Sequence, residues 1–185
     1  MAKVQYGLRN VYISKITESG GVVTYGTPFK LPGAVSLSLS PTGDESVFYA
    51  DDIRYYVVSA SANYEGNMVI AMITDDFAKD ILGYEEDATT HVLVETADGK
   101  LSSFAMMFEV QNDEDETLFC FYNVTPSRVD VSASTREEST EVQTATLNIT
   151  CSGAIDTGFV KAYTTDDTPS ATKTGWFSAV PVPSV

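Results

Sequence analysis

The fold class follows from Val35-Ser36-Leu37-Ser38-Leu39-Ser40, a run in which apolar and hydroxyl side chains alternate strictly. Successive side chains of a β-strand point to opposite faces of its sheet. The run therefore places three apolar residues on one face and three serines on the other. This pattern predicts a strand that is buried on one face and solvated on the other.

Most of the chain follows the same pattern. Alternation continues over 56–65, and the run 68–73 is apolar at every position, which indicates a strand buried on both faces. Asp98-Gly99 predicts a hairpin between strands at 92–96 and 101–110. Further strands are predicted at 8–16, 104–110, 118–124, 142–150 and 158–164, with turns at 18–21, 65–67 and 112–116.

One segment, 74–83, favours a short helix packed against the sheet. Thr74 is a suitable N-cap, and the two aspartates that follow it lie where the helix dipole favours negative charge. Gly83 suits the position just past the last turn. The apolar residues of the segment form one stripe: Phe77, Ala78, Ile81 and Leu82.

The chain shows no internal repeat and no linker composition, so residues 1–185 are predicted to form one domain. A polar, acidic connection at 40–54 contains Phe48 and Tyr49 and predicts an extended loop, of the kind that is usually functional or ordered by a partner. Proline cannot continue the centre of a sheet, so 178–185 is predicted to be a C-terminal arm or a loose end.

Charge limits the classes of partner. The 26 acidic and 11 basic residues give a formal net charge of −15, and such a surface repels phosphate. A groove that grips nucleic acid is therefore not expected. An acidic protein can still lie beside DNA if its function is to avoid adhering to it, and ordinary solubility explains the same balance.

The two cysteines, Cys120 and Cys151, lie in apolar or β-like runs and are predicted to be reduced, packed thiols of a protein made in a cytoplasm. No apolar run is long enough to span a bilayer, so membrane insertion by this chain is not expected.

Residues suited to catalysis are sparse. His91 is the one histidine, and neither cysteine is near it in sequence, so a surface position is the simpler interpretation. Cys/His clusters for zinc and phosphate-binding glycine loops are absent from the sequence. A pair of acidic residues of the glycosidase type and a calcium site at 113–116 stay open as minor alternatives. The sequence predicts a protein that is not an enzyme, with no catalytic residues, cofactor or bound metal.

Several motifs occur in an order that is similar to one protein family. They are Tyr6-Gly7-Leu8-Arg9-Asn10-Val11-Tyr12, Tyr25-Gly26-Thr27-Pro28, Leu31-Pro32-Gly33-Ala34-Val35, Phe48-Tyr49-Ala50-Asp51-Asp52, Phe121-Tyr122-Asn123-Val124, Ser127-Arg128, Arg136-Glu137-Glu138-Ser139, Gly158-Phe159-Val160-Lys161-Ala162 and Trp176-Phe177. Together they span nearly the whole chain, and in this order they resemble the major tail proteins (tail tube proteins) of siphophages, bacteriophages with long, non-contractile tails.

The resemblance implies a fold and an assembly. The implied fold is mainly β: two packed antiparallel sheets, sandwich- or barrel-like, with one short flanking α-helix and an extended loop. The implied assembly is a structural protein of the virion that forms hexameric rings, which stack helically into a viral tail tube for genome ejection. Implied partners are further copies of the chain, a tape measure protein, and tail terminator and distal tail proteins. The subunit would be made in the host bacterial cytoplasm, and DNA would cross the lumen without specific binding.

Two sets of site residues follow as hypotheses. Candidates for exposure to the lumen are Ser36, Ser38, Ser59, Ser61, Asn63 and Glu65, and an acidic lumen would keep DNA from adhering. Candidates for inter-subunit contact in the 40–54 connection are Asp44, Glu45, Phe48 and Tyr49. An ordinary solvated sheet face explains the first set equally well, and folding back onto the chain's own core explains the second.

Two alternatives to a phage tail tube stay open. A monomeric β-sandwich that binds a ligand, such as a carbohydrate-binding or adhesive module, accounts for the strands and the acidity. A tube subunit of a phage-derived injection particle shares the fold and differs in cargo.

Overall fold

The computed structural model describes residues 4–43, 45–50, 53–59, 63–112, 116–131 and 143–184, with the main chain only for 45–50 and 53–59. The strands are β1 Gln5–Ser19, β2 Val22–Tyr25, β3 Phe29–Lys30, β4 Ala34–Thr42, β5 Glu45–Ala50, β6 Ile53–Ser59, β7 Asn63–Ile70, β8 Glu85–Glu86, β9 Leu93–Val94, β10 Phe104–Asn112, β11 Glu116–Pro126, β12 Ala145–Ser152 and β13 Lys161–Tyr163. The helices are α1 Asp75–Asp80 and α2 Ser170–Gly175.

One large antiparallel sheet contains most of the strands, in the order β2-β1-β10-β11-β12-β7-β4, with β3 paired to β1 and β13 paired to β11. The sheet curls, so that Ile13 of β1 and Met68 of β7 pack in the same core although their strands are far apart in strand order. The strands of the described residues do not close into a barrel. The prediction of a mainly β, antiparallel fold is confirmed.

The serine-alternating run forms a strand as predicted and lies in β4, at the end of this strand series. Val35, which the alternation predicts on the buried face, is exposed, because the pairing of β4 with β7 shifts register between Ala34 and Ser36. Leu37 and Leu39 pack against the core, whereas Ser36, Ser38 and Ser40 are exposed. Burial of the leucines therefore fixes which face of β4 meets the solvent, because a slip of one residue would exchange the two faces.

Helix α1 forms where the sequence predicts it. The Phe77 backbone N–H donates to the Thr74 hydroxyl at 3.3 Å, which confirms the N-cap. Gly83 has the left-handed conformation expected near a helix end, with φ +72°, although the helix ends one residue earlier than predicted. The Phe77 and Phe104 rings meet edge to face at 5.9 Å, which fixes the helix over the start of β10.

A second apolar cluster covers the opposite face of β10 and β11. Met107, Cys120 and Tyr122 contribute from the strands, and Trp176 contributes from the end of α2. The sequence does not predict α2, so the single predicted helix is one too few. The proline N-cap of α2 supplies no side-chain hydrogen bond, which leaves little local signal.

The C-terminal segment is attached to this second cluster. The Tyr122 hydroxyl donates to the Pro181 carbonyl at 2.7 Å, and the Phe177 ring stacks on Tyr12 at 4.8 Å between centroids. Val180 also packs against the cluster. The part of the predicted arm that the structure describes, 178–184, therefore begins on the body of the sheet.

A buried carboxylate holds the first part of β1. Glu109 is 5% exposed, accepts a hydrogen bond from Arg9 Nε at 2.9 Å and accepts another from the Asn10 amide at 2.8 Å. Asn10 has φ +49° at a register shift between β1 and β10. These bonds fix an irregular strand segment that carries Leu8 to the edge of the core.

Two predictions are wrong: the turn at 65–67 and the hairpin around Asp98-Gly99. Residues 65–67 continue β7, because Gly66 allows the neighbouring strand to approach: a Cβ at this position would lie 1.8 Å from the Ser38 carbonyl oxygen. The chain does turn at 97–98, but the flanking segments do not pair as a hairpin. Strand β9 pairs with β8, since β1 and β11 already occupy the two edges of β10.

The other two turns agree with prediction. Residues 18–21 connect β1 to β2, and β10 pairs with β11 across the segment 113–115, which lies outside the described residues. The connection predicted as an extended loop contains a hairpin of β5 and β6.

Candidate assembly surfaces

One face of the sheet over β4, β7 and β12 is exposed and polar. In register, Ser38 of β4 lies beside Asn67 of β7, which lies beside Asn148 of β12, so the three side chains share one face. Their alternating neighbours, such as Leu39 and Ile149, point into the core. The exposed residues that make up this polar face are Ser36, Ser38, Ser40, Asn63, Glu65, Asn67, Asn148 and Thr150.

The structure brings together four of the six residues predicted to face a lumen: Ser36, Ser38, Asn63 and Glu65. Ser59 ends β6 and pairs with Glu45 in the separate hairpin, and Ser61 lies outside the described residues. That the polar face lines a lumen stays a prediction.

The polar face is not acidic. Glu65 is its one charged residue, and the remainder are hydroxyl and amide side chains. Acidic residues concentrate instead at 75–98, which holds eight carboxylates and one lysine. We call this segment, which includes α1, β8 and β9, the acidic cap.

The acidic cap stays charged at neutral pH. Hydrogen bonds from His91 and Lys79 lower the pKa of Glu86, and the main-chain and hydroxyl groups of Thr90 lower the pKa of Asp87. The lowered pKa values keep both carboxyls ionised. The cap is therefore an anionic surface at the end of the sheet where β7 ends.

The residues predicted as inter-subunit contacts lie on the β5–β6 hairpin, except Asp44, which lies outside the described residues. Glu45, Phe48 and Tyr49 belong to β5, and Phe48 pairs with Tyr56 of β6. Within the described chain, these two strands pair only with each other. An isolated two-stranded hairpin is marginal in water, and the sequence of this one is rich in valine and tyrosine.

An apolar groove of about 530 Å³ opens where the curled sheet fails to close between β1 and β4. Its apolar lining comes from five strands: Leu8, Leu37, Leu39, Tyr64, Phe108, Val110, Phe119 and Phe121. Lys161 is the one charged residue among the described residues that line it, and its Nζ lies 4.7 Å from the centre of the Tyr64 ring. This is a cation–π distance.

The candidates for chemistry are dispersed. His91 is exposed, with Nδ1 2.7 Å from Glu86 Oε1. Cys120 and Cys151 are both buried and free, and they pack in different apolar clusters. Among the described residues, no group of three or more His, Cys, Asp or Glu is placed to hold a metal ion, and no helix is long and apolar enough to cross a membrane.

Sequence patterns did not reveal the apolar groove. Its lining residues are separated by up to 156 positions, from Gln5 to Lys161, and they come from strands whose local patterns do not indicate a groove. The contact of Lys161 is an example: its ammonium meets the ring of Tyr64, which lies 97 positions away in the sequence.

Comparison with known proteins gives structural likeness only in outline. No family model and no curated protein matches the sequence. A chain in the cryo-EM structure of the anti-feeding prophage cap (the AFP tube terminating cap) aligns with a TM-score of 0.46 and 11% identity, over 88% of this chain and 94% of that chain. A chain in the cryo-EM structure of the 6-fold symmetrised anti-feeding prophage baseplate aligns with a TM-score of 0.47 and 11% identity, over 91% and 99%.

Proposed function

We propose that this protein is a structural, non-enzymatic subunit of a non-contractile bacteriophage tail, in which copies join into hexameric rings and the rings stack into a hollow tube. The order of sequence motifs described above supports the family. The observation that carries the proposal is the polar face, which covers one side of β12, β7 and β4. In the part of the chain that the structure describes, β4 ends the strand series and pairs only with β7.

The edge of β4 provides the lateral contact. A strand at the end of a sheet presents unpaired main-chain groups, which invite pairing with another chain. Pairing of this edge with the sheet of a neighbouring copy joins the sheets around a ring. Such a contact uses two different surfaces and closes after a fixed number of copies, six in this proposal.

The polar face then lines the lumen. Its hydroxyl and amide groups keep the wall hydrated, and no lysine or arginine of the face is available to bind phosphate. Because phosphate contacts dominate the affinity of proteins for DNA, this wall lets a duplex pass without adhering during ejection. Glu65 adds one repulsive carboxylate per copy, which acts over roughly 8 Å at physiological salt.

The β5–β6 hairpin provides contacts between copies. Its strands leave β4 at Thr42 and return to β7 at Asn63, so the hairpin emerges at one end of the polar face. Phe48 and Tyr49 are the aromatic residues of β5 that we expect to anchor it in a neighbour. In this proposal, the partners that nucleate and end the tube are tape measure, terminator and distal tail proteins. The protein itself is located in the virion tail.

Electron microscopy of the purified full chain tests the proposal. The net charge of −15 makes copies repel each other, so we expect monomers at low salt and hollow tubes or rings at high concentration and high salt. Shortening the β5–β6 hairpin is expected to give folded subunits that do not stack. Featureless monomers under all conditions would instead favour a ligand-binding β-sandwich.

A further inference from the structure

The apolar groove and the acidic cap lie at opposite ends of β7. Tyr64, the second residue of the strand, lines the groove, whereas Ile70 ends the strand and the chain continues into the cap. Six residue steps of a strand separate these two positions by roughly 20 Å. On β4 the groove extends to Leu37, but Met72 at the start of the 71–76 connection is exposed and does not line the groove of its own copy.

An exposed apolar corner leads into the acidic cap. Met72 is 72% exposed and Val35 is 58% exposed, and the main chain joins their segments through a 2.7 Å hydrogen bond from Ala71 N–H to the Gly33 carbonyl. Asp75 and Asp76 follow three and four residues after Met72, and both are exposed. The corner thus combines a flexible apolar side chain with two carboxylates.

The groove has the complementary composition. Its lining is apolar and aromatic, which suits an inserted methionine because the thioether side chain adapts to irregular apolar surfaces. The Lys161 ammonium at 4.7 Å from the Tyr64 ring carries a positive charge beside this lining. The apolar lining of the groove thus complements the apolar side chain of Met72. The positive charge of Lys161 complements the negative charges of Asp75 and Asp76.

We propose that the apolar groove of one copy receives the 71–76 connection of a second copy, with Met72 entering the groove and the carboxylates of Asp75 and Asp76 meeting the Lys161 ammonium. This contact rests on the proposed function and names the surfaces that join successive copies along the tube. The contact uses different surfaces on the two copies. When successive copies are displaced along the direction of β7, the contact repeats without closing into a ring, so it extends a filament.

Charge reversal on the full chain tests the contact. Lys161→Glu is expected to raise the critical concentration for tube assembly by about tenfold, because each pair becomes a repulsion. The double variant Asp75→Lys/Asp76→Lys is expected to do the same. Combining all three substitutions restores opposite charges and is expected to recover most of the loss, measured by sedimentation and electron microscopy.

Lys173→Glu on α2 is the matched control, since it makes the same charge change outside both surfaces and is expected to leave assembly unchanged. All variants are compared at the lowest salt concentration at which the wild type assembles, where the charge variants have their largest effect. Met72→Ser, which keeps every charge, is expected to weaken assembly there and by a similar factor at higher salt. Normal tubes from Lys161→Glu, or additive losses in the triple variant, would overturn the contact while leaving the tube proposal in place. A wild-type chain that never assembles would instead contradict the proposed function itself.

Discussion

At the scale of single residues, Cys120 and Cys151 show how burial controls chemistry. They belong to different apolar clusters, on opposite faces of the large sheet. Burial raises the pKa of both thiols to about 12, so the reactive thiolate is scarce at neutral pH. The prediction of packed, reduced thiols agrees with their position in the fold.

The raised thiol pKa values predict how stability depends on pH. The folded state holds each proton more tightly than the unfolded state, whose pKa is 9.0, so this contribution is complete below pH 9 and is lost as the pH rises toward about 12. We expect the free energy of unfolding in urea to fall between about pH 9 and about pH 12. The double variant Cys120→Ala/Cys151→Ala should show a smaller slope, and an identical slope in both proteins would contradict this assignment.

At the scale of elements, the pairing of β4 with β7 depends on one glycine. A Cβ at Gly66 would lie 1.8 Å from the carbonyl oxygen of Ser38, which belongs to backbone and cannot move aside cheaply. Gly66 therefore sets the distance between the two strands that carry most of the polar face.

Gly66→Ala is expected to destabilise the protein by about 3 kcal/mol or more, because the added methyl group forces β4 away from β7. Urea unfolding measures the change. Gly175→Ala in α2 is the control, since no described atom beyond its chain neighbours and its own helix backbone lies within 4 Å of the added Cβ, and we expect a change of less than about 1 kcal/mol. Equal effects of the two substitutions would show that β4 and β7 do not approach as closely as described.

Elements with local signals could be predicted from the sequence. Strand β4 follows from alternation, and α1 follows from the Thr74 cap and the apolar stripe that includes Phe77. In both, the residues that specify the element are neighbours along the chain. Local patterns also gave the strand-rich class and the polar side of β4.

Elements decided by distant residues could not be predicted in this way. The signal Glu65-Gly66-Asn67 is typical of a turn, but here the glycine serves the approach of β4, which is distant in sequence. Asp98-Gly99 is typical of a hairpin, but the edges of β10 are taken by β1 and β11. Helix α2 is held by contacts of Trp176 with the second apolar cluster, not by a cap.

At the scale of the whole molecule, charge and apolar surface are segregated among the described residues. Eight carboxylates lie in the acidic cap, the polar face carries Glu65 as its one charge, and the apolar groove is lined by one charged residue, Lys161. That the lumen wall is acidic stays a prediction; the polar face, as the proposed wall, contributes one carboxylate per copy. Sequence composition could not show this distribution, because it reports how many carboxylates exist and not where they lie.

The most direct test is a cryo-EM reconstruction of tubes assembled from the purified full chain. We predict six copies per ring, with Ser38, Asn67 and Asn148 of every copy facing the lumen and the β4 edge paired with a neighbouring sheet. A reconstruction with these side chains on the outer surface, or buried between copies, would contradict the proposal that this polar face forms the wall past which DNA moves.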